Sequence, residues 1–219
     1  MVVLSVIKLV VMVGILMGIT SELVGAQSVD SMVTPEFFDR IISQAGTGCA
    51  GKKFYTRDAF LEAAKSYPDF GHAGTVTKSK REIAAFFAHV THGTGRKLSN
   101  LLLFASVRSS QKIARGTHCL NSTSYPCAPG KKYYGRGPIQ LTWNYNYGAA
   151  GESIGFDGLN NPEIVASDVT ISFKTALWFW MNYVHSPITS DLGFGRTIRR
   201  INGGECHGRN EAVVRLRVG

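Results

Sequence analysis

The chain has 219 residues, 44% of them hydrophobic and 18% charged, with 24 Lys and Arg against 15 Asp and Glu for a net charge of +9. That length carries one domain with a sizeable core. The basic residues are scattered, with no dense run of the kind that forms a nucleic-acid arm, so the charge reads as that of a basic extracellular protein, without nucleic-acid or membrane partners.

The first element is a leader. Lys8 precedes an uncharged apolar run of 13 residues, 9–21, and Val24-Gly25-Ala26 supplies the small residues of a cleavage site, which makes Gln27 the expected mature start. The run falls short of the ~20 residues that span a bilayer, which favours a signal peptide over residues 1–26 against a membrane anchor. Residues 27–219 then form one domain that reads mostly helical. Thr34 caps a helix with Pro35 at its first position and Phe37, Phe38, Ile41 and Ile42 as its stripe, ended by Gly46. Thr56 caps a second helix with Phe60, Leu61 and Ala64, stopped before Pro68. Ser79-Lys80-Arg81-Glu82 has the form of a capping box and opens a third, with Ile83, Phe86, Phe87 and Val90 inward. Asn161-Pro162 starts a short helix, and the longest is expected over residues 171–184, with Trp178, Phe179 and Trp180 in the core. Helices over 196–201 and 211–218 complete the set.

Residues 133–148 read Tyr-Tyr-Gly-Arg-Gly-Pro-Ile-Gln-Leu-Thr-Trp-Asn-Tyr-Asn-Tyr-Gly. Gly135 and Gly137 permit tight turns and Pro138 sets the direction afterwards. Gln140, Thr142, Asn144 and Asn146 recur every second residue, and in an extended chain they line one face with donors and acceptors. Beside Trp143, Tyr145 and Tyr147 this suits a neutral, hydroxyl-rich ligand such as a sugar, with rings on its apolar face and amides on its hydroxyls. A buried aromatic loop whose amides satisfy its own backbone fits the same pattern.

The stretch resembles the signature of plant family 19 chitinases, nearest to the class IV type. The resemblance runs from Val33-Thr34-Pro35-Glu36-Phe37-Phe38 through Cys49-Ala50-Gly51-Lys52, residues 80–92, 153–159 and 171–181, to Ile201-Asn202-Gly203-Gly204 and the end of the chain. It implies an all-α, lysozyme-like bilobal domain with a substrate cleft. It also implies chitin or its oligosaccharides as ligand, no cofactor or metal, a monomer, and a secreted or vacuolar location in a cell-wall and defence setting. Class IV relatives usually carry a small chitin-binding module ahead of this domain. Here the leader runs almost directly into Val33-Thr34, so the module is expected to be absent.

Glycosidic hydrolysis requires a carboxylic acid for the leaving oxygen and a second carboxylate for water or sugar. The family has its acid in His-Glu-Thr-Gly, where this chain reads His92-Gly93-Thr94-Gly95. Its second Glu belongs to a segment that residues 96–115 do not resemble, and no Asp or Glu occurs between Glu82 and Glu152. His89 and His92 are three apart without a third candidate ligand, so structural hydrogen bonds are expected of them rather than a metal. What the resemblance leaves is the substrate-holding half. It assigns Gln140, Tyr145 and Asn146 to the sugar chain, Thr142 to the attacking water, and Lys174 and Asn202 to the cleft. His92 flanks the acid position, and Glu205 with its partner Arg217 supports the site.

Four cysteines in an exported chain suggest two disulfides. The resemblance reduces the expectation to one, Cys119–Cys127, because it puts the family partners of Cys49 and Cys206 in the replaced segment and in a C-terminal tail expected to be missing here. Asn121-Ser122-Thr123 is a glycosylation sequon inside the Cys119–Cys127 loop. Three functions compete: an active chitinase, a non-catalytic binder of chitin oligosaccharides, and the product of a decayed or misread gene.

Overall fold

The computed structural model describes residues 27–45, 49–93 and 116–206. The leader, Gly46, residues 96–115, the expected helix 211–218, Arg217 and the side chain of His92 lie outside the described residues. Among those described, the chain is helical and forms no strand, only an isolated bridge between Arg136 and Leu141. No described helix is long and apolar enough to cross a membrane.

Helix α1 (Val29–Met32) leads into α2 (Pro35–Ser43), where Thr34 Oγ1 accepts from Phe37 N at 3.2 Å and Pro35 occupies the first turn as expected. Phe38 is buried, while Phe37, Ile41 and Ile42 pack half-buried against the core. α3 (Ala50–Phe54) is a short element that the pattern did not disclose. α4 (Arg57–Ala64) is capped by Thr56, which accepts from Ala59 N at 3.3 Å. Arg57 ties it back to the preceding turns, donating to Val33 O at 2.6 Å and to Asp30 O at 2.9 Å.

α5 (Val76–Gly93) has 18 residues and is longer than the helix expected to be the longest. It also starts a turn before the Ser79 box. Thr75 is the cap, accepting from Lys78 N at 3.2 Å, while Ser79 Oγ accepts from Ala73 N at 3.1 Å. Glu82 therefore faces inward, not back to a cap. It is fully buried and accepts from Gly71 N (3.0 Å), Trp180 Nε1 (2.9 Å) and His185 Nδ1 (2.6 Å). A buried carboxylate is tolerable only with donors of this number and quality. Ile83, Phe86, Phe87 and Val90 are buried, as their spacing predicts.

α6 (Asn144–Ile154) leads through a 3-10 turn (Pro162–Ala166) to α7 (Val169–Tyr183), which begins two residues before its expected start. Asp168 caps α7, accepting from Ile171 N at 2.9 Å. This is the central helix: Phe173, Ala176, Leu177, Trp178 and Trp180 are all buried, and Phe179 is half-buried. α4 and α6 pack on it, and α8 (His185–Thr189) and α9 (Phe194–Asn202) follow. The core is aromatic. Phe86 meets Trp180 edge-on at 5.4 Å and Phe70 at 5.2 Å, and Phe60 meets Phe173 at 5.6 Å. Such pairs contribute about 0.5–1.5 kcal/mol each beyond the area they bury.

Candidate functional site

The signature folds as a pinched turn followed at once by a helix. Leu141 N donates to Arg136 O at 2.9 Å and Arg136 N to Leu141 O at 3.2 Å, closing the turn. Gly137 within it has φ +72°, a backbone that favours glycine, and a Cβ there would sit tightly, 3.0 Å from Ser172 Oγ and 3.2 Å from Val165 Cγ1.

Tyr133 and Tyr147 anchor the turn from inside, both fully buried. The Tyr133 hydroxyl accepts from Ala128 N at 2.8 Å and donates to Leu159 O at 3.0 Å. Tyr147 donates to Tyr134 O at 2.7 Å and accepts from Arg136 Nη1 at 2.9 Å. Burial pushes the Tyr147 phenol well above its ordinary range, against the opposing pull of Arg136, so it stays a neutral donor. Buried Arg136 also donates to Lys132 O at 2.9 Å and lies with Cζ 3.8 Å from the centre of the Tyr134 ring, so carbonyls and π faces hold its charge.

This frame holds two side chains in backbone conformations that favour glycine. Gln140 has φ +55° and Trp143 φ +79°. Strain of this kind persists only where its surroundings over-determine it. Trp143 N donates to Tyr133 O at 2.8 Å, and Trp143 O accepts from Asn146 N and Tyr147 N, both at 3.1 Å.

The turn at Trp143 ends any extended run, so the single face expected of Gln140, Thr142, Asn144 and Asn146 does not form. On a helix, residues two apart point about 200° from each other. Asn144 is fully buried: its Oδ1 accepts from Leu120 N at 2.8 Å, and its Nδ2 donates to Leu120 O at 2.9 Å and to Tyr125 O at 2.7 Å. Asn146 is half-exposed and Tyr145 exposed. Gln140, Thr142 and Asn146 each use a donor on nearby backbone. Gln140 Nε2 donates to Gly137 O at 2.9 Å, Thr142 Oγ1 to Gln140 O at 2.8 Å, and Asn146 Nδ2 to Thr142 O at 2.9 Å. The stretch thus combines both readings of its pattern. Its amides brace their own backbone, and Thr142 Oγ1 and Asn146 Oδ1 keep acceptor capacity on a half-exposed surface.

The remaining expected residues lie on other elements. Lys174 is half-buried on α7, with its carbonyl accepting from the Tyr67 hydroxyl at 3.2 Å. Asn202 ends α9 and donates from Nδ2 to buried Glu205 at 2.7 Å, which brings these two expected residues together. Gly93 is the last residue of α5. His89, one turn earlier, is buried against Phe194 at 4.7 Å. Its Nε2 lies 2.6 Å from Thr197 Oγ1, whose own proton goes to Phe194 O at 2.6 Å, so His89 is the donor and joins α5 to α9. Among the described residues no group of three or more His, Cys, Asp or Glu could hold a metal. Cys119 and Cys127 are disulfide-bonded; Cys49 and Cys206 are not.

Glu82, Asn144 and Arg136 are the structural determinants that residue pattern misassigned or passed over. For Asn144 a signal existed: Asn144, Tyr147, Gly148 and Gly151 are buried at helical spacing, which competes with the every-second-residue reading. Nothing local in the sequence marks Glu82 as buried, because its partners are 11, 98 and 103 residues away.

Comparison with known proteins matches residues 32–197 to the glycoside hydrolase family 19 model, described as Chitinase class I. The chain is 57% identical over 192 residues to Endochitinase EP3 of Arabidopsis thaliana, covering 87% of this chain and 67% of that protein. It is 57% identical over 193 residues to Chitinase 5 of Oryza sativa subsp. japonica, covering 87% and 64%. It spans about two thirds of the length of these curated relatives. The crystal structure of a family 19, class IV chitinase from Zea mays superposes with a TM-score of 0.78 at 54% identity, over 86% of this chain and 88% of that one. The expected all-α, lysozyme-like fold is therefore the fold observed.

Proposed function

The chain belongs to glycoside hydrolase family 19, the chitinases, and on that premise we propose that it is an exported, monomeric domain that holds chitin oligosaccharides but is catalytically impaired. The observation that carries this is Gly93 in place of the family's acid, within a stretch without any Asp or Glu between Glu82 and Glu152. Without a proton donor the leaving oxygen departs as an alkoxide. General acid catalysis contributes about 10²–10⁴-fold, roughly 3–5 kcal/mol of barrier.

The two carboxylates that flank the affected positions in sequence are already engaged: Glu82 is buried among three donors and Glu152 accepts from the Tyr125 hydroxyl at 2.9 Å. Glu205 accepts from Asn202. The half-exposed surface of Gln140, Thr142 and Asn146 beside exposed Tyr145 supports retained binding, with Lys174 and Asn202 completing a cleft and His92, Glu205 and Arg217 supporting it. Residues 1–26 act as the signal peptide.

The test is hydrolysis beside binding on the purified chain. Turnover of a chitin oligomer should be negligible, and binding should be weak but measurable and lost in Asn146→Ala. Gly93→Glu alone should recover little, because no second carboxylate returns with it and such groups act as a unit. Robust turnover by the unmodified chain would overturn the reading. The unfamilial stretch 96–115 favours one rival, a decayed or misread gene, and transcript sequencing across residues 93–119 decides it.

A further inference from the structure

We propose that Asn121 is an N-glycosylation site, carrying its oligosaccharide on a loop that the fold locks to the head of α6. Asn121-Ser122-Thr123 is the one Asn-x-Ser/Thr sequon in the chain. The motif alone says only that the chemistry is allowed; the placement of the loop carries the rest.

Asn121 and Thr123 are exposed, so a bulky substituent on Asn121 needs no burial. The loop beneath them is held at several points. Cys119 and Cys127 bridge its ends, Asn144 grips Leu120 and Tyr125 with three hydrogen bonds, and Ser122 Oγ accepts from Tyr125 N at 3.0 Å. The bridge and the glycan require the same oxidising, secretory compartment. Leu120, beside the acceptor, is 49% exposed, so the chain at the acceptor lies at the surface.

The geometry also separates this glycan from the proposed ligand surface. Asn144 points from α6 into the loop, and Asn146 points about 200° away around the same helix. The modification therefore sits across α6 from Asn146 and leaves that surface open.

In the transfer, Asn121 Nδ2 forms a bond to C1 of the reducing-end sugar of a polyprenyl-diphosphate oligosaccharide. The C1–O bond to the diphosphate breaks, the diphosphate leaves with the electron pair, and the amide nitrogen gives one proton to a base of the transferase.

The inference rests on the proposed export, and one experiment separates the two. The full chain is translated with microsomal membranes present, then tested for protease protection and for a mobility shift removed by peptide-N-glycosidase. A protected, shifted chain, with the shift abolished in Asn121→Gln and in Thr123→Ala, is the expected result. A protected chain without the shift overturns the glycosylation and leaves export standing. An unprotected chain overturns both. Glycosylated chain and Asn121→Gln should bind chitin oligomers equally; weaker binding by the glycosylated form would refute the placement.

Discussion

Replacing Asn144 with Ala should damage the fold far more than the same change at Asn146, two residues on. Asn144 makes three side-chain hydrogen bonds, all from a fully buried position, and together they hold residues 120 and 125 to the start of α6. Each such bond is worth about 0.5–1.5 kcal/mol net, and water can reach part of the loop because Leu120 is 49% exposed. The expected loss is therefore about 2–4 kcal/mol, a large part of a total stability of about 5–15. Asn146 is half-exposed and makes one bond, to Thr142 O, so Asn146→Ala should cost about 1 kcal/mol or less. Urea unfolding measures both, and each kcal/mol should lower Tm by about 2–4 °C in a chain of this size. Amide exchange at Leu120 and Tyr125 should quicken in Asn144→Ala only. Equal destabilisation by the two variants, or unchanged exchange at Leu120, would refute the division of roles between these two amides.

Glu82→Gln should destabilise by about 2–5 kcal/mol, since one amide oxygen cannot serve Gly71, Trp180 and His185 as the carboxylate does; a urea midpoint within ~0.5 kcal/mol of the parent would refute this. Thiol titration of the unfolded, non-reduced chain should find the Cys49 and Cys206 thiols and leave Cys119–Cys127 intact, with no reactive thiol as the contrary result. Lys78 and Arg81 hold the Asp191 carboxyl below its usual range, the hydrogen bond from Lys78 being the larger cause. A depressed carboxylate stabilises above its unfolded pKa of about 3.9 and ceases to do so as pH falls through its folded value. Acid unfolding of Asp191→Asn should accordingly lose sensitivity between those two values, as followed by circular dichroism; an acid limb identical to the parent's would count against the cluster.

Much of the fold was legible because it is written locally. Thr34 with Pro35, Thr56, and the spacing of Ile83, Phe86, Phe87 and Val90 each act within a turn or two of helix, so caps and faces are readable without neighbours. That no Asp or Glu stands between Glu82 and Glu152 is a fact of composition and needed no coordinates. Tertiary contacts decided the rest. Ser79 and Glu82 satisfy a capping-box pattern, yet Thr75 takes the cap and Glu82 turns inward, because Trp180 and His185 wait about 100 residues away to receive it. The amide at every second position is equally consistent with a strand or with a turn and helix. The positive φ of Trp143, held by Tyr133 from across the turn, selects the helix, and with it sends Asn144 inward and leaves Asn146 at the surface.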